Sequence, residues 1–555
     1  MDGESGQRLE RLSGMLKRRG FILPAYEIHG GSKGLYDFGP NGGRLRNRVN
    51  QMWIEHWISS GKIVEISCPT ITPYEVLEAS GHVGEFSDFM TICLACEEVS
   101  RADILLESNH SNPDSLSKFE LQDLLRQTQP LCPSCGANSW SDVTAQNLMF
   151  NTTIGAGNSG RRGFLRPETA QGMFTSFPTL YRHFRERLPF GAVQVGKGYR
   201  NEISPRQGMI RLREFNMAEL EYFIDPEIPA EHDFTEWSDI EFELISEDQG
   251  QIKTTISKAV ETGVVRHATV GYFMAKTYDF LAKVGIDKSK IRFRQHETTE
   301  MAHYATDCWD AEIFGSYGWV ECVGIAHRGC YDLESHEKYT GKSLRARREF
   351  SVPKELIVDG STIDGATAGP AFRALAGKVK TIVEQLPAEQ DYPCVVEVEG
   401  QKITVEKEHV KRVQKTDLVT GEWFIPHVVE PAFGIDRIIW HILDHAYQET
   451  TKQDEDYTVM KLHKDIVPID FAVFPLFEKD GMKEIALSVN KRINSRFGVV
   501  SVYDSSGSIG RRYARADEIG IPICITIDHQ SVSDNTVTVR DRDTGEQTRV
   551  KISDL

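Results

Sequence analysis

Four cysteines occur in two closely spaced pairs whose chemistry suits a metal ion. Two residues separate Cys93 from Cys96, and two residues separate Cys132 from Cys135. Two such pairs can surround one Zn²⁺ with four thiolates, a closed tetrahedral site that leaves no position for a substrate. Four unrelated thiols are the alternative. The spacing predicts a structural zinc site, with the acidic stretch between the pairs looped out.

A second segment, YRNEISPRQGMIRLREFNMAE, combines arginines, carboxylates and an aromatic residue. We predict a strand that ends at Arg200 and Glu202, a polar turn, and a returning strand that carries Arg211, Phe215 and Glu219. Residues four apart on a strand share a face, so a cation, a flat ring and a carboxylate would point the same way. This combination suits a nucleotide and an amine. An exposed hairpin with ordinary surface charges is the alternative.

Two further segments contain residues suited to binding or to an interface. EPAFGIDRIIW begins at Glu430 and leads into a predicted buried helix. Its Gly434 allows a close backbone approach, and Arg437 at the helix start can present its guanidinium group to a phosphate. GKIVEISCPT follows a predicted helix at 44–60, and we expect its strand to end at Pro69, because proline cannot donate to a ladder.

The glycines of GAGNSG at 155–160 match a dinucleotide-binding pattern. That pattern binds a pyrophosphate only where it opens a helix. The following residues, RRGFLRPE, do not begin a helix, so we predict a flexible loop here. The sequence also lacks GxxxxGK[ST], so ATP would have to be bound by another architecture.

The elements around these segments indicate two kinds of domain. Pieces such as AVQVGKGYR, FNMAELEYF and WVECVGI alternate with helices without a strand–helix–strand rhythm, which favours an α+β body with an antiparallel sheet. A polar stretch at 447–465 predicts a boundary. Beyond it, short apolar strands alternate with amphipathic helices and end in a hairpin around Asp543-Thr544-Gly545. This pattern is typical of a small α/β domain with a largely parallel sheet.

Composition limits the compartment and the partners. The 555 residues are 40% hydrophobic and 26% charged, the mix of a globular protein of two to four domains. The sequence has no signal peptide and no long apolar run, so we expect a cytoplasmic protein without a membrane partner. The net charge of −17 argues against loose binding of nucleic acid. Residues 466–555 carry 12 Lys+Arg and 13 Asp+Glu, against 52 and 68 in the first 465, so the C-terminal part is the more permissive for RNA.

The segments that contain Pro69, Arg200 and Arg437 resemble, in this order, motifs 1, 2 and 3 of the class II aminoacyl-tRNA synthetases. RPETAQG, ECVG and HYATDCWDAEI are similar to the glycyl-tRNA synthetases of the homodimeric, archaeal and eukaryotic type. The resemblance extends from GFILPAYEIHGG at 20–31 to the C-terminal α/β domain, which looks like an anticodon-binding domain. It implies a homodimer and a catalytic core that is interrupted by insertions.

The implied domain boundaries follow from the positions of these segments. They are 1–92 (core with motif 1), 93–135 (zinc ribbon), 136–224 (core with motif 2), 225–300 (helical insertion), 301–335 (core), 336–420 (insertion), 421–450 (core with motif 3) and 466–555 (anticodon-binding domain).

The resemblance also implies an ATP site. Arg200 would hold the α-phosphate and the glycine carboxylate, Phe215 would stack on the adenine, and Glu202 would frame it. Arg437 would hold the γ-phosphate, and Glu321 would bind ATP through Mg²⁺. The implied ATP-binding residues are Arg200, Asn201, Glu202, Arg211, Leu212, Phe215, Glu321, Cys322 and Arg437, of which Arg200, Glu202 and Arg437 are catalytic.

For glycine, the resemblance implies a pocket in which Glu168 and Glu219 grip the ammonium group. A pocket too tight for any side chain excludes larger amino acids and needs no editing domain. The family usually has Glu-Pro-Ser where this chain has EPA, so the serine hydroxyl contact is lost or replaced at Ala432. The implied glycine-binding residues are Arg101, Glu168, Glu219, Glu430, Pro431 and Ala432.

The implied reaction is the ATP-dependent ligation of glycine to tRNA(Gly). Arg511, Arg512 and Arg515 are predicted tRNA contacts, and a solvated helix face is the alternative. Two other functions stay open. A non-catalytic synthetase-like accessory protein would bind nucleic acid, but it would be expected to lose part of the charged set. A class II synthetase for proline or threonine is less favoured, because RPETAQG and Glu219 point to glycine.

Overall fold

The fold is that of a computed structural model, which describes residues 3–555 except 111–112, 114–115, 204, 206–207, 230, 298–305, 388 and 453–454. Part of the HYATDCWDAEI motif and part of the turn after Glu202 lie outside the described residues. The chain forms two compact units. One comprises the residues up to Leu344 together with Pro426–Leu555, and the other comprises Arg345–Ile425.

The first unit opens with helices and short strands. The predicted helix at 44–60 is confirmed, but it begins at Pro40, which suits the first helical turn. Its buried Leu45, Val49, Trp53 and Trp57 lie four residues apart and therefore share one face. The elements are α1 (Gly3–Arg18), β1 (Ile22–Pro24), β2 (Tyr36–Phe38), α2 (Pro40–Ile58), β3 (Ile63–Glu65), β4 (Ile71–Pro73), α3 (Tyr74–Ala79) and α4 (His82–Glu85).

The cysteine pairs lie in a small module with its own three-stranded sheet in the order β6-β5-β7. Helix α6 begins with a reciprocal cap between Ser117 and Glu120 and buries Leu121 and Leu125. The elements are β5 (Ser87–Ile92), β6 (Val99–Arg101), α5 (Ala102–Leu106), α6 (Lys118–Thr128) and β7 (Thr144–Asn147).

The segments that follow supply most of the central sheet. The loop at 155–160 leads into a strand rather than a helix, as predicted. The elements are β8 (Phe150–Ile154), β9 (Arg161–Leu165), α7 (Ala170–Thr175), α8 (Phe177–His183), β10 (Phe190–Tyr199), β11 (Glu214–Ile224), β12 (Phe242–Ser246), β13 (Gly250–Thr254), α9 (Ile256–Glu261), α10 (Ala268–Lys283), β14 (Ile291–Gln295), β15 (Asp307–Gly315), β16 (Gly318–Gly329) and α11 (Tyr331–Thr340).

The second unit is built on a long antiparallel pair of strands, with a short hairpin and two helices around its own apolar core. The predicted insertion at 336–420 overlaps this unit but starts earlier than its first residue, Arg345. The elements are β17 (Ala346–Ile363), α12 (Gly365–Phe372), α13 (Ala376–Val383), β18 (Cys394–Val398), β19 (Gln401–Val405) and β20 (Val410–Phe424).

The chain then returns to the first unit. The polar stretch at 447–465, predicted to mark a domain boundary, contains two strands that pair antiparallel. The elements are β21 (His427–Gly434), α14 (Ile435–Ala446), β22 (Tyr447–Lys452), β23 (Glu455–Met460), β24 (Phe471–Pro475), α15 (Met482–Asn494), β25 (Ser501–Tyr503), α16 (Ile509–Ile519), β26 (Ile523–Ile527), α17 (His529–Asp534), β27 (Thr536–Asp541) and β28 (Gln547–Lys551).

The central sheet has nine strands in the order β13-β12-β14-β15-β16-β21-β11-β10-β3. All neighbours are antiparallel except β12 with β14 and β10 with β3. The predicted antiparallel α+β body is therefore confirmed. The predicted helical insertion at 225–300 contains the helices α9 and α10, but it also contributes three strands to the sheet, one of them marked by the alternating burial of Phe242, Leu244 and Ser246.

The C-terminal part forms a separate five-stranded sheet in the order β25-β24-β26-β27-β28. Strand β24 runs parallel to both of its neighbours, and the last two pairings are antiparallel. The predicted α/β domain and its terminal hairpin are confirmed. Among the described residues, every helix is too short or too polar to span a membrane.

Candidate active site

The register of the central sheet places small residues between charged ones on a single face. Glu219 on β11 pairs with Ala432 on β21, which pairs with Gly324 on β16, which in turn pairs with Asp310 on β15. Alternate residues of a strand share a face, so Glu430 lies on the same side, two residues from Ala432. Two adjacent positions without a large side chain leave a depression in the sheet, with carboxylates at its sides.

This depression is a cavity of about 290 Å³. Arg200 and Arg437, which are far apart in sequence, both line it. The predicted site residues that line the cavity are Glu168, Arg200, Glu202, Arg211, Leu212, Phe215, Glu219, Glu321, Cys322, Glu430, Ala432 and Arg437. Three predicted residues, Arg101, Asn201 and Pro431, lie outside this lining.

Arg200 is held between two aromatic rings. Its guanidinium carbon lies 5.5 Å from the ring centre of Phe215 and 5.3 Å from that of Phe86. Its buried Nε has no hydrogen-bond partner among the described residues. Rings attract a cation without using its N–H donors. Arg200 is therefore positioned while its Nε donor remains available to an anionic ligand.

Arg437 is fixed by backbone carbonyls at the start of α14. Its Nε donates to the carbonyl of Ile210 at 3.1 Å, and Nη1 donates to the carbonyl of Glu321 at 2.7 Å. A carboxylate oxygen of Glu321 lies 3.5 Å from the same nitrogen. The predicted close backbone approach at Gly434, just before the helix, is not needed, because a Cβ there would make only an ordinary contact of 3.4 Å with the carbonyl oxygen of Cys322. The arrangement leaves Arg437 on the cavity wall beside a carboxylate.

Arg211 lies on the cavity wall, but not for the predicted reason. The returning strand begins only at Glu214, so Arg211 precedes β11. The preceding residues, Met209 and Ile210, are buried in the apolar core and form a turn of 3-10 helix. Phe215 and Glu219 do share a face of the strand, as predicted.

One end of the cavity is strongly acidic. Carboxylate oxygens of Glu219, Glu221 and Glu430 lie within 4.8 Å of one another, and all three residues are buried. Arg328 donates to Glu430 at 2.7 Å and to both oxygens of Asp332 at 2.8 and 3.0 Å. Both oxygens of Glu221 are without a hydrogen-bond partner in the described part of the chain. Carboxyl groups outnumber basic groups here, which suits a cationic ligand.

Burial and the closeness of other carboxyl groups raise the pKa values of Glu219 and Glu221. Burial, together with the nearby Glu430 and Glu168, raises the pKa of Glu219 to about 8. Burial and Glu430 also raise the pKa of Glu221 well above its usual value. A cation that enters this end would favour the charged forms of both groups.

The RPETAQG segment supports the acidic end. The backbone N–H of Thr169 donates to Glu219 at 2.8 Å, and its hydroxyl donates to the same oxygen. Arg166 donates to the carbonyls of Lys197 and Cys68 at 2.8 and 2.9 Å. A Cβ at Gly196 would lie 2.0 Å from the Arg166 guanidinium, so only glycine fits beneath it. This segment therefore fixes the backbone that orients Glu219.

Glu168 faces the cavity from the same segment. Gln171 donates to it at 2.9 Å, and His82 Nε2 lies 3.4 Å away. Burial alone would raise the pKa of Glu168, but His82 and Arg328 bring it below its usual value. Glu168 is therefore the ionised carboxylate of the acidic end at neutral pH.

Arg101 does not reach the cavity because two aspartates hold it. It donates to both oxygens of Asp103, at 3.1 and 2.6 Å, and lies 2.7 Å from Asp88. Asn201 serves through its backbone, whose N–H donates to the carbonyl of Leu148 at 2.7 Å.

The four cysteines come together as predicted. The Sγ atoms of Cys93 and Cys135 are 3.6 Å apart, and those of Cys96 and Cys132 are 3.7 Å apart. Four thiolates at about 2.3 Å from a tetrahedral Zn²⁺ would be separated by about 3.8 Å. The four Sγ atoms all lie within 4.8 Å of one another. The donor set and its spacing fit zinc.

Comparison with known proteins shows the family to which this chain belongs. The glycine–tRNA ligase of Methanothrix thermoacetophila is 43% identical over 98% of this chain and 95% of its own length. That of Methanocaldococcus jannaschii is 43% identical over 98% and 97%, and that of Archaeoglobus fulgidus is 42% identical over 98% and 94%. The chain belongs to the glycine–tRNA ligase family.

Two other comparisons concern the fold. A family model described as an anticodon binding domain matches residues 470–555. A solved structure of Giardia lamblia prolyl-tRNA synthetase in complex with prolyl-adenylate aligns with a TM-score of 0.52 at 12% identity, over 99% of this chain and 76% of that one. The class II synthetase fold and the C-terminal anticodon-binding domain are thereby confirmed.

The three arginines predicted to contact tRNA differ in their surroundings. Arg511 is exposed at the start of α16. Arg512 is buried and donates to the carbonyls of Pro475 and Gly507, so the expectation that it faces a ligand is wrong. Successive residues of a helix point in different directions, and Arg512 points into the domain. Arg515 pairs with Asp504 at 2.6 Å.

Sequence analysis missed several charged residues beside the cavity. Arg328 and Glu221 line or adjoin the acidic end, and the alternation of β11 after Glu219 could have indicated Glu221. On the neighbouring strands, Asp310 accepts from His296 at 2.8 Å and from Arg294 at 3.2 Å. The hydrogen bond to Asp310 raises the pKa of His296 to about 10, so His296 is a cation at neutral pH.

Proposed function

We propose that this chain activates glycine with ATP and transfers it to the 3′ end of tRNA(Gly). The observation that carries the proposal is the convergence of Arg200 and Arg437 on one cavity whose other end is acidic. Arginines suit the phosphates of a nucleotide, and unpaired carboxylates suit an ammonium group. Relatives that bear the name glycine–tRNA ligase over nearly their full length support the same reaction.

The reaction requires positioning and charge stabilisation rather than a protein nucleophile. The glycine carboxylate attacks the α-phosphorus, the bond to the β-phosphate oxygen breaks, and pyrophosphate leaves. Arg200 would stabilise the charge that develops on the α-phosphate, because its buried Nε has no partner among the described residues and can donate to a ligand. The terminal hydroxyl of tRNA then attacks the carbonyl carbon, and AMP leaves.

The nucleotide would lie along the arginine-bearing wall. Phe215 would stack on the adenine, and Glu202 and Arg211 also line the cavity. Arg437 would contact the γ-phosphate. Glu321, which stands beside Arg437, would hold Mg²⁺, and this ion would supply charge neutralisation on the phosphates.

Glycine would place its ammonium group among Glu168, Glu219 and Glu430. Gly324 and Ala432 form the floor between them, so space for the substrate exists only where a side chain is missing. Ala432 has no hydroxyl, so the ammonium group depends on carboxylates alone at this position. We propose that selectivity for glycine comes from the size of this space, since close-packed walls resist an added methylene.

The four cysteines would hold a structural Zn²⁺, since a site of four thiolates has no open position for chemistry. The C-terminal domain would bind the anticodon stem and loop. Strand β24 has parallel neighbours on both sides, and ligands bind in the crevice at the carboxyl ends of such strands. Exposed Arg511 lies near that end and is the arginine proposed to contact tRNA. A homodimer and a cytoplasmic location remain predictions.

Glycine-dependent exchange of pyrophosphate into ATP tests the activation step. Assayed with each of the twenty amino acids, the chain should support exchange with glycine, with alanine and serine far below it. Exchange driven by proline or threonine alone would refute the substrate. The absence of exchange with every amino acid, from a folded chain that still binds tRNA, would instead support an accessory protein.

A further inference from the structure

The second ring that holds Arg200 lies where the main body joins the cysteine module, and it packs against the apolar cluster of Leu77, Met149 and Phe164. Phe215 belongs to the central sheet, but Phe86 immediately precedes β5, the middle strand of the module's sheet. The guanidinium carbon of Arg200 lies 5.3 Å from the ring centre of Phe86, close to its 5.5 Å distance from Phe215. Half of the aromatic clamp on Arg200 is thus supplied by a part of the chain that does not line the cavity.

A chain of backbone hydrogen bonds makes a second link to the same place. The N–H of Leu148 donates to the carbonyl of Phe86 at 3.1 Å, and the N–H of Asn201 donates to the carbonyl of Leu148 at 2.7 Å. Leu148 follows β7, the outer strand of the module's sheet. The module is therefore bonded directly to the residue after Arg200.

The other end of the same strand leads to the metal ligands. Strands β5 and β6 pair from Met90 with Arg101 to Ile92 with Val99, and the turn between them contains Cys93 and Cys96. The second cysteine pair approaches this turn through a bridge between Cys93 and Trp140 and a bond of 2.9 Å from Leu94 N–H to Ser139. One strand of six residues thus connects the thiolates to Phe86, over about 20 Å.

Charged groups tighten the cavity end of the module. Arg101, at the end of β6, donates to Asp103 and forms an ion pair with Asp88 on β5. Arg101 was predicted to contact glycine, but its donors join the two strands instead. This gives the hairpin a rigid end beside Arg200.

We propose that Phe86 is a positioning residue for Arg200, and that metal binding at the four cysteines sets the position of Phe86. The proposal rests on the glycine activation and on the role of Arg200 proposed above. Without metal, the bonds between the ion and the four cysteines that fix the turn are lost. The strand between Phe86 and Cys93 is then no longer held at its cysteine end. Arg200 then keeps only one of its two rings.

Phe86→Leu tests the ring, because it keeps apolar bulk and removes the π face. We expect kcat of glycine-dependent exchange to fall about fivefold, with KM for glycine changed less than about twofold, as for a lost cation–π contact of ordinary strength. Phe86→Trp should restore kcat. The matched control is Phe89→Leu on the same strand, whose ring packs in the module's own apolar cluster, and it should leave kcat unchanged.

Metal removal tests the coupling. Zinc content of the purified chain is measured first, and a chelator then removes the metal from the intact wild-type and Phe86→Leu proteins. We expect the wild type to lose kcat about fivefold and to recover it when zinc is returned, while Phe86→Leu loses much less. Intrinsic fluorescence and the melting curve of each sample check that the chain stays folded.

The outcomes separate the proposal from the function on which it rests. Equal loss of kcat on metal removal in both proteins, or an unchanged kcat in Phe86→Leu, would overturn the coupling even though wild-type exchange with glycine stands. A wild type without glycine-dependent exchange would refute the function instead. A chain that binds no zinc would refute the metal assignment, and Phe86→Leu would still test the ring.

Discussion

The cavity and the C-terminal domain both bury charged side chains, but they treat them differently. In the C-terminal domain, Arg540 donates to both oxygens of Asp517 at 2.8 Å, and both side chains are buried. In the cavity, three buried carboxylates lie within 4.8 Å of one another, and only Glu430 among them has a guanidinium partner in the described structure. A buried charge is costly unless it is paired. Matched charges therefore indicate structure, and the unmatched ones indicate the place of a ligand.

The largest effect is expected at Arg200. Arg200→Ala should reduce kcat of glycine-dependent exchange by a factor of about 10³ or more, because several donors to the α-phosphate are lost at once. The melting temperature should change little, since the arginine makes few bonds to the protein. Arg182→Ala, an exposed arginine on α8 outside the cavity, is the control. Exchange near the wild-type rate would remove Arg200 from the mechanism.

Breaking the pair of Arg540 and Asp517 should reduce stability and leave glycine-dependent exchange intact, the opposite of the effect at Arg200. Arg540→Ala leaves Asp517 buried without a cationic partner and with only the Tyr457 hydroxyl as a side-chain donor, so we expect a loss of about 3–5 kcal/mol in unfolding free energy, measured by denaturant titration. Glycine-dependent exchange should persist where the chain is folded. Arg126→Ala removes one partner of an exposed pair and should change stability by less than about 1 kcal/mol. If Arg540→Ala destabilised the chain as little as Arg126→Ala does, the buried pair in the C-terminal domain would not have the structural role that distinguishes it from the acidic groups of the cavity.

Glu219 should make KM for glycine depend on pH. Its pKa of about 8 keeps it protonated at neutral pH, and an ammonium ligand favours the ionised form, so binding of glycine releases a proton. KM for glycine should therefore fall as pH rises from about 6.5 to about 8.5. Glu219→Gln should raise KM at the upper end of this range roughly tenfold to a hundredfold and flatten the dependence. Glu241→Gln, exposed on the surface, should behave as the wild type.

The smallest effect is expected at the tRNA contact. Arg511→Ala should raise KM for tRNA in the charging reaction a few-fold, because one exposed phosphate contact is worth about 1 kcal/mol or less. Glycine-dependent exchange should be unaffected. Lys491→Ala, an exposed lysine on α15, is the matched control. Equal KM for tRNA in the two variants would move the RNA-binding surface away from α16.

Local pattern predicted some elements well. The period of four in α2 is fixed by which side chains are buried, so it is visible in the sequence. The cysteine spacing indicated the metal site, because two short loops can bring four thiolates together without long-range information. The terminal hairpin was visible from its turn residues.

Other features depend on distant parts of the chain. Nothing local in Arg200 or Arg437 shows that they meet, and only the family resemblance implied it. The strands at 225–300 join the sheet because an edge strand is available, which the segment itself does not reveal. Arg512 could not be separated from Arg511 by composition, since the difference is the side of the helix that packs. The sequence does not show that two aspartates hold Arg101 away from the ligand.

Calorimetric titration with a non-hydrolysable analogue of glycyl-adenylate measures directly whether the cavity binds the activated substrate. We predict one binding site per chain in the wild type. Each single variant, Arg200→Ala and Glu219→Gln, should bind the analogue at least about tenfold more weakly while it stays folded. Unchanged affinity in both folded variants would mean that the unmatched charges of the cavity do not bind the activated substrate.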